Sequence, residues 1–503
     1  MRRPPFTRRE FIQGLAAASG TAAGSMLMSH QALAEQASDP RFLIVLCASG
    51  GGSIIDGPLA IRASESATPD TLNTFEDSLV TGWEGSPFRA VDLQGSSIGA
   101  IPASFSVTPS EFLARRRKDL MVSTWNRTSV NHAIGQRRAI TGNEAWKGRT
   151  LQEMVAWQYG MDAPIPNVHL LAGMGYSERG TDATVPNYAR GQIVPNPSIW
   201  PLSLDGRKGG AFPIEPEVLK AIRQHRNKVF EPATDFDRVF RDAPRLVEWK
   251  DLRGTPQERI EGYDLVQKLM FLDHSEAFPL ADFGLSSSPA AQAVQAAFPK
   301  LGLDPLDASA ALAFLLLKYR VSVSVTLGPN FDFVYDETVP YDDGASLPLN
   351  SVRNPPLAFD VSHQGHRAGQ AVMWSRLYSV VDGLISLLEN EDMGDGTSMW
   401  DRTLIYIASD FGREKTRPSG ADDWGTGHSI NNGVAAFSPL VPGDTLRGGV
   451  DPDTGLTYGF DPQTGDPEPG RNMAEAEVFS GLLGALGVDT SGSGLPDMPS
   501  MRS

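Results

Sequence analysis

The sequence is short of the residues on which several common devices depend. A single cysteine among 503 residues excludes a disulfide framework and a cysteine-based zinc module. Positive charge is scarce as well: 44 Lys and Arg face 60 Asp and Glu, giving a formal net charge of −16. Main partners such as nucleic acid or an acidic membrane surface call for a concentrated excess of Lys and Arg, so this balance argues against both. Beyond the N-terminus, no long apolar run suggests a membrane span. What is present is a 41% hydrophobic fraction, enough to bury a core and exclude global disorder, together with 50 Gly and 37 Pro. At about 100 to 200 residues per domain, the length allows two or three domains, or one large α/β domain with long insertions.

The N-terminus reads as an address. Thr7-Arg8-Arg9-Glu10-Phe11-Ile12 is a twin-arginine pattern; a small-residue apolar stretch follows from Gly14 to Met28, then Ala32-Leu33-Ala34, an A-x-A cleavage site. Residues 1–34 are therefore expected to be a removed export signal, engaged by the twin-arginine machinery and leading to the periplasm or the exterior. The alternative is a permanent anchor, but the stretch is shorter than the ~20 apolar residues that a span needs. Loss of four Arg and one Glu removes +3, so the mature chain would carry −16 − 3 = −19.

Short β-branched runs then alternate with helical patterns. Phe42 to Cys47 is apolar throughout, as a strand buried on both faces of a parallel sheet should be. Leu120 to Val122, Val168 to Leu171, Val321 to Leu327 and Thr403 to Ala408 are similar. Helical spacing marks Ala308 to Tyr319, Ala371 to Leu388 and Ala474 to Leu486. Alternation of this kind gives an α/β fold with a mostly parallel central sheet flanked by helices. The intervals 173–215, 329–357 and 438–472 lack periodicity and read as long loop insertions, the first two as a lid over the sheet's carboxyl edge.

In such sheets ligands collect beyond the carboxyl ends of strands, so the polar residues just past them are the informative ones. Asp56 follows the first strand and its glycine turn, or else caps a local turn. Thr128, Ser129, Asn131 and His132 follow the second, with Thr128 or Ser129 a helix N-cap, a nucleophile or both, and His132 reading as a histidine satisfied within the core. Asp360 and His363 stand three residues apart, with His366 another three on. Asp410 ends a strand, Arg413 follows, and His428 closes Gly425-Thr426-Gly427-His428. Carboxylates with imidazoles and no thiolate suit zinc, or manganese or calcium where oxygens dominate. One or two such ions beside a hydroxyl are a device for cleaving phosphate-like esters.

The order of these motifs resembles the alkaline phosphatase superfamily, and more closely an exported, sulfatase-like branch of it, the domain of unknown function 1501 family. Phe359-Asp360-Val361-Ser362-His363 is similar to that branch's W-D-T-H stretch, Ser409-Asp410-Phe411-Gly412-Arg413 to its S-E-F-G-R stretch, and Thr128-Ser129-Val130-Asn131-His132 to the T-F-P-N-H segment of nucleotide pyrophosphatases. The resemblance spans about residues 40–490. It implies an alkaline-phosphatase-like domain over 35–503 and a metal-dependent hydrolase of small anionic phosphate, sulfate or phosphonate esters. Asp56, Asp360, His363, Asp410 and His428 would be the ligands, Thr128 the nucleophile with Ser129 next to it, and Asn131 and Arg413 the substrate contacts. Phe411 departs from the Asp-His pair of the hydrolytic members, leaving one ion or none. Neither Cys47 nor the Ser123-to-Arg127 stretch fits the sulfatase formylglycine motif.

Two other readings stay open. A degenerate site would make the chain a secreted binding protein, and Gly95-Ser96-Ser97-Ile98-Gly99 matches the elbow of serine esterases, although Pro102 opposes the helix that the elbow requires. The repeated Asp451-Pro452-Asp453-Thr454-Gly455 and Asp461-Pro462-Gln463-Thr464-Gly465 lack the ligand pattern of a calcium loop and read as the two turns of one hairpin.

Overall fold

The apolar run after Arg41 becomes strand β1, Phe42–Ala48, with every residue buried. Each fully buried aliphatic or aromatic side chain in such a strand contributes about 1.5–3 kcal/mol, which is why an unbroken apolar run belongs at a sheet's centre. The computed structural model describes residues 39–93, 107–171, 174–204, 216–247, 249–250, 265–272, 286–302, 304–328, 334–335, 352–354, 359–363 and 365–503. The expected export signal and the Gly95-to-Gly99 match lie outside these residues, as does most of 329–357, so the lid is described only in part.

Seven more strands complete the sheet: β2 Leu120–Asn126, β3 Asn167–Leu170, β4 Gln192–Val194, β5 Ser324–Leu327, β6 Thr403–Ser409, β7 Asn431–Phe437 and β8 Thr445–Arg447. Their order is β8-β2-β7-β6-β1-β5-β3-β4. β1 pairs in parallel with β6, Phe42 opposite Thr403, and with β5, Leu43 opposite Ser324. Only β7 runs antiparallel, between β6 and β2. The result is an α/β fold with a large, mostly parallel sheet, consistent with an alkaline-phosphatase-like domain. Arg41–Ser503 form one compact unit.

Among the described residues, the main helices flanking the sheet fall in two groups. α1 (Pro109–Arg116), α4 (Pro305–Lys318) and α5 (His366–Glu389) pack together, as do α2 (His132–Thr141), α3 (Leu151–Tyr159) and α6 (Glu475–Ala485). α1 and α3 start in capping boxes, where Thr108 and Thr150 accept from the Glu111 and Glu153 nitrogens at 3.3 and 3.1 Å. The expected strands and helices are all there.

Four expectations need correction. β4 lies inside 173–215, and β7 and β8 were not anticipated, β8 falling within the loop 438–472. Each is short or rich in small and polar residues, so no apolar period marks it. The acidic repeats are the turns of a three-stranded meander, Gly449–Val450, Thr457–Phe460 and Pro467–Glu468, two hairpins sharing a strand rather than one. Asp451 Oδ1 and Asp461 Oδ1 accept backbone N–H groups at 2.7–3.3 Å, so these carboxylates close turns. Finally, α5, with 24 residues, is long and apolar enough to cross a membrane. It is a core helix instead, with Val372, Met373, Leu377, Val381 and Leu384 fully buried.

Candidate metal centre

The carboxyl ends of β1, β2 and β6 converge at one edge of the sheet. β1 turns away through Gly50 and Gly51, at φ +92° and +88°. A Cβ on Gly50 would meet the Asp360 nitrogen at 2.4 Å, and one on Gly51 the Phe411 ring at 2.9 Å, so only glycine admits both the left-handed turn and the close approach. Beyond β6, Asp410 is fully buried. Its Oδ2 accepts from Gly50 N at 3.1 Å and lies 2.8 Å from His132 Nδ1, while Oδ1 accepts from Phe411 N at 3.2 Å.

β2 leads into α2, whose N-cap is Asn131: its Oδ1 accepts from Ile134 N at 3.2 Å. Capping starts the helix at His132 and turns that ring toward Asp410. Asp360 and His363 come from the 3₁₀ turn Phe359–His363. The chain after β6 doubles back so that Arg413 pairs with His428 across a two-residue ladder.

His132, Asp360 and His428, all half-buried, offer ligand atoms within 4.8 Å of one another and can together hold a metal ion. His132 Nε2 is 3.4 Å from Asp360 Oδ1, and His363 Nε2 is 2.9 Å from His428 Nε2. Two contacts fix the tautomers of this second pair. His428 Nδ1 lies 3.0 Å from the Val130 carbonyl, which only accepts, so the hydrogen of a neutral ring is on Nδ1 and Nε2 bears a lone pair. His363 Nε2 lies 3.3 Å from Arg413 Nη1, which only donates, so it too is an acceptor. In these tautomers two acceptors would face each other at hydrogen-bond distance.

Burial, then the Arg413 charge, lowers the pKa of both His363 and His428, which disfavours their protonation. His132 moves the other way: its hydrogen bond to Asp410 raises its pKa against the effect of burial. Phe411 fills the space behind His428, with ring centroids 3.9 Å apart and the planes stacked.

Other expected residues stand elsewhere. Asp56, in the 3₁₀ turn Ile54–Asp56, is buried with His366: the Asp56 Oδ2–His366 Nε2 distance is 3.0 Å, and Asn73 Nδ2 donates to both carboxylate oxygens at 2.9 and 3.0 Å. Burial raises the Asp56 pKa, but the His366 charge and hydrogen bonds from His366, Asn73 and Ser53 outweigh it and the net shift is downward. The buried Lys415 amine nearby is lowered to about 8, mainly by burial. His366 therefore does not continue the Asp360–His363 series. One helical turn separates it from that side, and its Nδ1 meets Thr426 Oγ1 at 2.9 Å.

Thr128 is exposed, its hydroxyl donating to Glu475 Oε2 at 3.1 Å and accepting from Arg138, which ties it to α6 rather than to the imidazoles. Ser129 Oγ accepts from Asn131 N at 3.1 Å, a turn contact. Arg413, expected to bind substrate, is fully buried. Its guanidinium donates to the carbonyls of Gly50, Phe359 and Thr426, and burial lowers its pKa to about 10. It clamps the edge together. His132, which read as a core histidine, is the site residue that sequence reasoning missed; its place past a strand end, the same rule that picked Asp410, was the available signal. The chain matches no family model and no curated protein.

Proposed function

We propose that the chain is an exported metal-dependent hydrolase of phosphate, sulfate or phosphonate esters, with its centre at His132, Asp360, His363 and His428. One observation carries the reading: ligand atoms of His132, Asp360 and His428 converge within 4.8 Å, with His363 Nε2 2.9 Å from His428 Nε2. With His428 Nδ1 donating to the Val130 carbonyl and His363 Nε2 accepting from Arg413, lone pair would face lone pair there, a conflict that a cation beside both would relieve. Nitrogen and oxygen donors without thiolate suit zinc best, with manganese as the next choice. A divalent ion held here would supply Lewis acidity toward a phosphoryl or sulfuryl oxygen.

The chain's own residues prepare that chemistry. Asp410 fixes His132 through Nδ1 and leaves Nε2 facing Asp360, the arrangement in which a buried carboxylate orients an imidazole ligand. This makes Asp410 an orienting group, its oxygens already engaged by Gly50 and Phe411. Val130, Ile134 and Ile430 are exposed beside His132 and His428, an apolar rim that favours esters with an apolar leaving group. The family resemblance and the twin-arginine pattern support the ester class and export.

Protein purified without added metal should retain a divalent ion by elemental analysis, and should cleave aryl phosphates or sulfates in a chelator-sensitive way. His428→Ala should lower bound metal at least about tenfold. Wild type without metal, or turnover indifferent to chelator, overturns the reading. A second reading, a metal-holding binding protein, is favoured by Thr128, whose hydroxyl is already engaged by Glu475 and Arg138. Full metal without turnover on the ester panel selects it.

A further inference from the structure

Among the described residues, nine of the fifteen exposed large hydrophobic side chains fall between Val218 and Trp249. They include all the exposed aromatic ones, Phe230, Phe236, Phe240 and Trp249, and range from 43% exposed at Val247 to 73% at Val239. The segment is helical: Pro216–His225 runs on through Arg226–Phe230 and Glu231–Ala233, and Asp235–Phe240 follows. Thr234 caps the last piece, accepting from Asp237 N at 3.2 Å. Among the described residues these turns pack chiefly on one another, and their large apolar side chains are exposed. Val218 and Ile222 share one face, as do Phe236, Val239 and Phe240, and the Phe236 and Phe240 rings meet at 5.0 Å.

Charge reverses here too. Residues 216–250 hold 8 Lys and Arg against 6 Asp and Glu, +2, so the other residues carry −16 − 2 = −18. Three of those acids, Glu231, Asp235 and Asp237, are paired with Arg226, Arg238 and Lys250 within the segment. The overall charge opposes an acidic membrane as main partner, and this arm is the place where that opposition is lifted.

A second copy of the chain fits this face poorly. A two-fold contact would set two net-positive arms together. An unlike contact needs another apolar patch, and the six remaining exposed hydrophobics are divided between the rim of the metal centre and scattered positions at Ile193, Ile199 and Leu456. We propose that residues 216–250 lie on a bilayer surface containing anionic lipid, with Phe and Trp rings at headgroup depth and Lys and Arg on lipid phosphates. The proposal is independent of the metal centre.

Sedimentation of the purified protein with phosphatidylglycerol vesicles, compared with phosphatidylcholine vesicles, tests it. Binding should favour the anionic vesicles at least about fivefold and weaken between about 0.1 M and about 1 M salt, where the screening length falls from about 10 Å to about 3 Å. The pair Val239→Asp and Phe240→Asp should abolish binding, and Arg241→Glu with Arg245→Glu should weaken it on anionic vesicles, with circular dichroism and bound metal unchanged in both. Equal binding to the two lipids, none to either, or binding that survives both pairs overturns the proposal. A wild-type dimer that the Val239/Phe240 pair turns into monomer would assign the face to self-association and overturn it as well.

Discussion

Two Asp–His corners meet at Thr426 on the carboxyl edge of the sheet. On one side, Asp360 and His363 face His132 and His428, half-buried, with His363 Nε2 2.9 Å from His428 Nε2. On the other, Asp56 and His366 are buried together, Asp56 accepting from Asn73 Nδ2 and lying 3.0 Å from His366 Nε2, with Lys415 nearby. The side-chain types are the same and His363 and His366 are one step apart in a repeating spacing. What separates them is the passage from a 3₁₀ turn into α5, which swings His366 away from His363. The half-buried corner brings ligand atoms together where they can hold a metal ion, whereas the Asp56–His366 pair is enclosed in the fold.

Exchanging the two carboxylates breaks this comparison most forcefully. Asp56→Ala strands His366 and its neighbours and should cost about 3–5 kcal/mol of stability, as removal of one partner from a buried ion pair does, while bound metal stays the same. Asp360→Asn, half-exposed, should do the reverse: bound metal falls at least about tenfold, and the unfolding free energy of the metal-free protein changes by less than about 1 kcal/mol. Denaturant unfolding and elemental analysis of both variants decide it. Loss of metal in Asp56→Ala would merge the two corners into one site.

A second buried histidine sharpens the contrast because, among the described residues, no carboxylate pairs with it. His169, in β3, is lowered to about 4 by burial alone, its Nε2 3.1 Å from Asn167 Oδ1. The folded state therefore favours the neutral ring. The stabilisation is fully present above the unfolded pKa of about 6.5 and is lost as pH falls toward about 4, amounting to about 3 kcal/mol across that window. His169→Gln should remove that portion of the acid loss. Unfolding free energies measured between these limits check it; an unchanged slope would mean that His169 is already charged in the fold.

How far the sequence carries follows from these residues. β1 and β6 were legible because burial on both faces demands unbroken apolar runs. β7, Asn431–Phe437, was not: its Asn-Asn-Gly start fits between β2 and β6 by packing against them, information that no local period holds. At the site, position past a strand end found Asp410, and the 3₁₀ spacing found Asp360 and His363 together. The same rules grouped Asp56 with the site and set His366 one step beyond it, whereas the fold pairs the two with each other beside Asn73 and Lys415. His132 was read as a satisfied core histidine, although the buried Asp410 holds its ring beside Asp360.

The smallest expected effect lies at the expected nucleophile. Thr128 donates to Glu475 Oε2 at 3.1 Å and accepts from Arg138, while Glu475 also lies 3.6 Å from Arg127, so the hydroxyl belongs to a polar tie between the β2–α2 connection and α6. Thr128→Ala removes one exposed hydroxyl from that tie and should cost no more than about 1 kcal/mol. Bound metal should stay within about twofold, because the carboxylates and imidazoles carry the affinity. Turnover is the discriminating readout. If His132, Asp360, His363 and His428 form the working centre without a protein nucleophile, Thr128→Ala and Ser129→Ala should each retain at least about half of the wild-type rate. A loss of about a hundredfold or more in Thr128→Ala, with metal intact, would mean that the β2–α2 connection rearranges to bring this hydroxyl to the ion, and Glu475, now its hydrogen-bond acceptor, would then be the group that takes its proton.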